Sequence, residues 1–122
     1  MERSRDEQFL HDWVIGKIKE KYSRLYKEVH INPGKEKKFE LKGYYPDVVF
    51  VNYGQIVLVA EVETQETINE EEAEEWKDLS NLGAQLVLVV PKEMQNAARE
   101  ICWKKGIAAK IKIGFFEVGL SI

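Results

Sequence analysis

Apolar residues recur every three or four positions through Leu10, Val14, Ile18, Tyr22, Leu25 and Val29, which predicts an amphipathic helix along the start of the chain. Ser4 and Glu7 stand three apart at its head, the spacing of a capping box, and the helix should end before "NPG". The period then changes. "EKKFELK", residues 36–42, alternates around Phe39 and Leu41 as a half-exposed strand does. Residues 46–52 and 55–63 are nearly continuous Val, Ile and Leu, the composition of strands covered on both faces. Capping-box spacing returns at Thr67 and Glu70 and opens a second helix that should run to Gly83. "QLVLVV" reads as a buried strand closed by Pro91, residues 92–105 as a third helix stopped at Gly106, and "IAAKIKIGFFEV" as one or two final strands.

The predicted order is α-β-β-β-α-β-α-β. Antiparallel strands at the front and strand-helix-strand crossovers at the back give an α/β fold with three layers, a central mixed sheet carrying helices on both faces. At 122 residues, with 44% hydrophobic and 32% charged positions, the chain suits a single domain spanning 1–122. Its longest apolar run, "AQLVLVV", is too short to cross a bilayer, and "MERSRDEQ" lacks the apolar stretch of a secretory signal. A soluble, cytoplasmic protein without a membrane partner is the expectation. Cys102 has no second cysteine, and His11 and His30 stand far from it, so zinc-site spacing is absent. Its neighbours Ile101 and Trp103 suggest a packed small hydrophobe. The tryptophans Trp13, Trp76 and Trp103 all fall on predicted helices and read as packing residues, while His11 and His30 read as surface positions.

The net charge of −3 conceals segments of +3, −9 and +3 over residues 1–42, 43–82 and 83–122. A strong standalone nucleic-acid binder usually carries a clearer basic excess. Lys35, Lys37, Lys38, Lys42, Lys110 and Lys112 could form a local basic face, although a solvated surface explains them as well.

The acidic middle segment also places three carboxylates, Asp47, Glu61 and Glu63, inside the strands predicted to be most buried. A buried carboxylate costs several kcal/mol unless a cation or hydrogen bonds compensate it, so three together call for a reason. Glu61 and Glu63 share one strand face. The facing of Asp47 depends on the hairpin: a two-residue loop at Tyr53 and Gly54 pairs Asp47 with Ala60 and sends the acids to opposite faces. A three-residue loop, or a bulge adding one residue, sets Asp47 across from Glu61. In that case a hard divalent cation, Mg2+ or Mn2+, would stabilise the carboxylates ionised and could position a water for attack on a phosphate.

"YPDVVF" followed by "VAEVET", within this element order, resembles the PD-(D/E)XK nuclease superfamily, which holds restriction enzymes, Holliday-junction resolvases and DNA-repair nucleases. The resemblance spans about residues 8–118. It implies a restriction endonuclease-like fold and a magnesium-dependent DNA endonuclease hydrolysing phosphodiester bonds. In it Asp47 and Glu61 are the metal-binding acids, and Glu63 stands where the family has lysine. Glu20 is the counterpart of a further helix-borne glutamate. The departure at Glu63 matters: a glutamate can ligate metal or accept a proton from the attacking water, but it cannot supply positive charge. Lys42 and Lys77 are the candidates for a lysine supplied from elsewhere. Gln65, sharing the parity of Glu61 and Glu63, could contact the phosphate. Asp47, Glu61 and Glu63 are thus the expected catalytic and metal-ligating set, DNA the expected partner, and a homodimer the assembly that would offer a duplex enough positive surface. The other reading is a non-catalytic module of the same fold that keeps its acids by inheritance.

Overall fold

A computed structural model of the chain describes residues 3–34 and 37–118. Three α-helices, α1 (Arg5–Tyr22), α2 (Glu72–Ser80) and α3 (Gln95–Lys104), accompany five strands: β1 (Glu28–Ile31), β2 (Val48–Asn52), β3 (Gln55–Val62), β4 (Gln85–Pro91) and β5 (Ile111–Phe116). The strands lie side by side in chain order. β1, β2 and β3 are antiparallel to one another, and β4 and β5 continue the sheet in parallel. The fold is therefore mixed α/β around a five-stranded mixed sheet, in the predicted element order.

The sheet separates two cores. Val48, Phe50, Ala60 and Val62 point to the side of α1, where Val14 and Ile15 meet them. Alternate residues Val49, Val51 and Val59 point the other way and join Leu86, Leu88 and Val90 against Ala73, Trp76 and Leu79 of α2 and Ala98 and Cys102 of α3. The two parallel crossovers advance the same way across the sheet, so handedness puts α2 and α3 on one face together. The apolar groove left beside α1, lined by Ile18, Leu58, Val89 and Phe116 among others, encloses about 490 Å³.

The first strand lies elsewhere than the alternation at 36–42 predicts. α1 ends at Tyr22, and the chain turns to lay Glu28–Ile31 along β2, pairing Val29 with Phe50 and Ile31 with Val48. Residues 37–46 form a loop whose bridge joins Leu41 to Tyr44; Lys35 and Glu36 lie outside the described residues. Buried Asn32 organises this loop. Its side-chain nitrogen donates to the carbonyls of Phe39 (2.9 Å) and Pro46 (2.7 Å), and its side-chain oxygen accepts the N–H groups of Lys38 and Phe39.

Both predicted capping boxes depart from expectation. Ser4 Oγ caps α1 by accepting the Glu7 N–H (3.3 Å). The reciprocal half of the predicted box is made with another element: Glu7 Oε1 accepts the N–H of Glu66 (3.0 Å), and the Ser4 N–H donates to Glu66 Oε1 (2.8 Å). Thr67 belongs to a 3-10 turn (Gln65–Thr67) ahead of α2, and the Glu72 N–H at the start of that helix donates to Asn69 Oδ1 (2.8 Å). α3 ends as predicted. Gly106, at φ +73°, lets the Ile107 N–H return to the Cys102 carbonyl (2.9 Å), closing a Schellman motif. Of the tryptophans, Trp76 is buried, whereas Trp13 and Trp103 are exposed. No described helix is long and apolar enough to cross a membrane.

Candidate functional site

The hairpin between β2 and β3 decides where the acids meet. Tyr53 and Gly54, both at positive φ, form its two-residue turn, and Asn52 pairs with Gln55. By itself this turn would separate Asp47 from Glu61. A bulge intervenes: Val51 pairs with Ile56 but Phe50 pairs with Leu58, leaving Val57 as the extra residue. From there Val49 meets Val59 and Val48 meets Ala60, so the register carries Asp47 to Glu61 on one face. A hydrogen bond closes the pair, the Asp47 N–H donating to Glu61 Oε1 at 2.9 Å.

All three acids are buried, with Asp47, Glu61 and Glu63 at 9%, 8% and 3% exposure. Asp47 Oδ2 accepts the Val62 N–H (2.8 Å) and faces His11 Nε2 (3.0 Å). The other ring nitrogen, His11 Nδ1, lies 2.9 Å from Asp12 Oδ1. An ionised carboxylate only accepts hydrogen bonds, so His11 donates to both of these acids at once only as the imidazolium. Burial alone would lower its pKa, but the hydrogen bond and charge of Asp47 outweigh burial and raise it. Glu63 sits one residue beyond β3, its N–H donating to the Val89 carbonyl (2.9 Å). Its Oε1 accepts Trp76 Nε1–H (3.2 Å), while its Oε2 has no hydrogen-bond partner among the described residues and lies 3.5 Å from Arg3 Nη2. Arg3 is itself held by Thr64 Oγ1 (3.0 Å), the Val62 carbonyl (3.0 Å) and Thr67 Oγ1 (3.3 Å).

Crowding of like charges in a dry setting raises the acids. Burial first, then Asp47, then Glu63 and Glu75, push Glu61 well above the ordinary carboxylate range. Burial drives Glu63 to about 7 against the lowering effects of Thr67, Arg3 and Trp76. The cluster can therefore accept or release a proton near neutrality.

Two of the three predicted acids thus meet directly, and Glu63 is turned towards Trp76 and Arg3. Among the described residues, no group of three His, Cys, Asp or Glu side chains has the geometry to hold a metal ion. The carboxylates that stand directly together are Asp47 and Glu61. Other expected contributors lie apart. Glu20 is on the exposed C-terminal part of α1, paired with Lys17 (3.6 Å); the α1 residue that reaches Asp47 is His11. Lys42 Nζ donates to the Leu82 carbonyl (3.2 Å). Gln65 begins the 3-10 turn and is exposed, so strand parity does not extend to it. His11, read as a surface residue, is 3% exposed. Its spacing carries the signal that was missed: it falls one residue after Leu10 and three before Val14, on the buried side of α1. Arg3 had no such signal, since its partners are some 60 positions away. The large groove beside α1 is lined by none of the three acids.

Compared with known proteins, the chain matches no family model, no curated protein and no solved structure.

Proposed function

We propose that the chain is a divalent-metal-dependent DNA endonuclease with a restriction endonuclease-like fold. The observation that carries this reading is the bulge at Val57, which sets Asp47 opposite Glu61 in the middle of a hydrophobic sheet. A pair of buried carboxylates at that position raises its own electrostatic cost, and a hard cation is the partner that removes it. Magnesium suits a pair, because it keeps several waters and takes one or two protein carboxylates together with substrate phosphate. Asp47 and Glu61 would hold it, and it would supply Lewis-acid polarisation of the phosphate. Glu63 takes the proton of the attacking water. Trp76 and Arg3 hold its carboxylate in place, and His11 orients Asp47.

A second reading, the non-catalytic module, draws on a specific observation of its own. His11 and Arg3 already set protein cations against Asp47 and Glu63. Calorimetric titration of Mg2+ and Mn2+, with and without DNA, separates the two. The endonuclease reading expects binding by the natural protein, loss of it in both Asp47→Ala and Glu61→Ala, and metal-dependent cleavage of duplex, single-stranded or branched DNA. Absence of both metal binding and cleavage with DNA present would establish the module.

A further inference from the structure

Most of the outward side of α1 is charged, but one stripe also carries two large aromatic rings, one of them, Trp13, beneath the Lys17 ammonium (5.6 Å), which reaches Glu20 as well (3.6 Å). Arg5, Phe9, Trp13, Gly16 and Glu20 are all exposed. At 3.6 residues per turn they fall within about 80° of one another, opposite the buried side that carries His11, Val14 and Ile15. Phe9 is 74% exposed and Trp13 44%. Gly16 interrupts the helix interior, where glycine weakens a helix relative to alanine, yet a Cβ built there would meet nothing within 4 Å. Nothing among the described residues calls for its small size.

The stripe is its own complement. Run antiparallel against a copy of itself about a two-fold axis between residues 12 and 13, it sets Arg5 against Glu20, Phe9 against Gly16, and Trp13 against Trp13. Each Phe9 ring then meets the hollow of a glycine, the two Trp13 rings meet each other beside the axis, and each positive end meets a negative one. Residue i contacts j and j contacts i, as an isologous interface requires. Arg5 and Glu20 each face an opposite charge at the rim, which fixes the antiparallel direction, since a parallel pair would set like charges together.

We propose that a second copy of this chain docks on the exposed face of α1, pairing the two α1 helices antiparallel through Phe9, Trp13 and Gly16. This surface lies away from the acid cluster and stands whether or not that cluster is catalytic.

Sedimentation equilibrium of the purified full chain, from low micromolar to near-millimolar concentration, tests it. The natural protein should dimerise, and Phe9→Asp should be monomeric throughout. Arg5→Glu and Glu20→Arg should each weaken the dimer on the order of tenfold, because the two-fold doubles every like-charge contact, and the double reversal should restore it. Gly16→Leu separates an interface from a purely local helix effect. It should raise the helix content of the isolated monomer while abolishing dimerisation, since leucine fills the hollow that the partner's Phe9 occupies. Circular dichroism on every variant checks the fold. A natural protein that stays monomeric, a dimer indifferent to Phe9→Asp, or a double reversal no tighter than the single ones would each overturn the proposal.

Discussion

Replacing Glu63 with Gln should make the protein more stable at alkaline pH and less stable at acid pH. The Glu63 carboxyl is raised from 4.5 to about 7, with burial the largest cause. A raised acid lets the folded state hold a proton that the unfolded chain releases, so stability falls as pH climbs from the unfolded value through the folded one. At about 1.4 kcal/mol per unit, the full penalty is roughly 3 kcal/mol, most of which develops between pH 5 and pH 8. Gln keeps the shape and does not ionise. It can satisfy either the Trp76 indole or the Arg3 guanidinium as an acceptor, but not both equally well, which costs about 1 kcal/mol at every pH. The variant should therefore be near or below the natural protein at pH 5 and above it by about 2 kcal/mol at pH 8. Urea unfolding with a chelator present, at several pH values between these, reads the difference directly; the slope contributed by His11 cancels in the comparison, and losing the Glu63 charge also relieves Glu61, which adds to the gain at alkaline pH. A difference that does not change with pH, or a variant less stable at pH 8, would refute the picture of Glu63 as a dry, strained acid.

Two further outcomes follow from the same cluster. His11→Ala leaves Asp47 buried without its cation and should destabilise the fold by about 3 kcal/mol. Because the His11 pKa is raised, the charge-linked part of its contribution is fully present below pH 6.5 and lost as pH rises through the folded value, so the gap between the two proteins should narrow at alkaline pH, leaving the cost of the lost packing and neutral hydrogen bond. Trp76→Phe removes the indole donor 3.2 Å from Glu63 Oε1. The Glu63 carboxyl should then titrate above its natural value in a carbon-detected NMR experiment, with a loss of stability of about 1–2 kcal/mol.

Much of the fold is written in local pattern. The continuous Val, Ile and Leu of residues 46–52, 55–63 and 85–90 identify β2, β3 and β4 because strands covered on both faces have no polar side to alternate with. Gly106 marks the end of α3 through its positive φ. β1 was not legible. "EVHI" is four residues long and continues the helical period of α1 without a Gly or Pro between, whereas "EKKFELK" alternates convincingly. Pairing with β2 decided between them, and pairing is a property of the assembled sheet. At the site, the acids could be named and the two registers stated, but the bulge could not be located. Every residue of "QIVLVA" is compatible with being the extra one, and the choice of Val57 depends on which of them finds core on each side. For the cations it was the partners that could not be read: spacing places His11 on the buried side of α1, but it meets Asp47 across 36 positions and Arg3 meets Thr64 across 61, distances over which spacing names no partner.

That last span bears on how the protein is made. Arg3 and Ser4 leave the ribosome early, but the residues that grip them, Val62 to Thr67, emerge some 60 positions later. At roughly 5–20 residues per second, α1 waits about 3 to 12 seconds for its anchor. During that interval Val14 and Ile15 have no sheet to cover, and Asp47 and Glu61 have not yet been brought face to face. The acid cluster is thus among the last parts of the β1–β3 half to form, and a nascent chain stalled before Val48 would carry a helix with nothing to dock against.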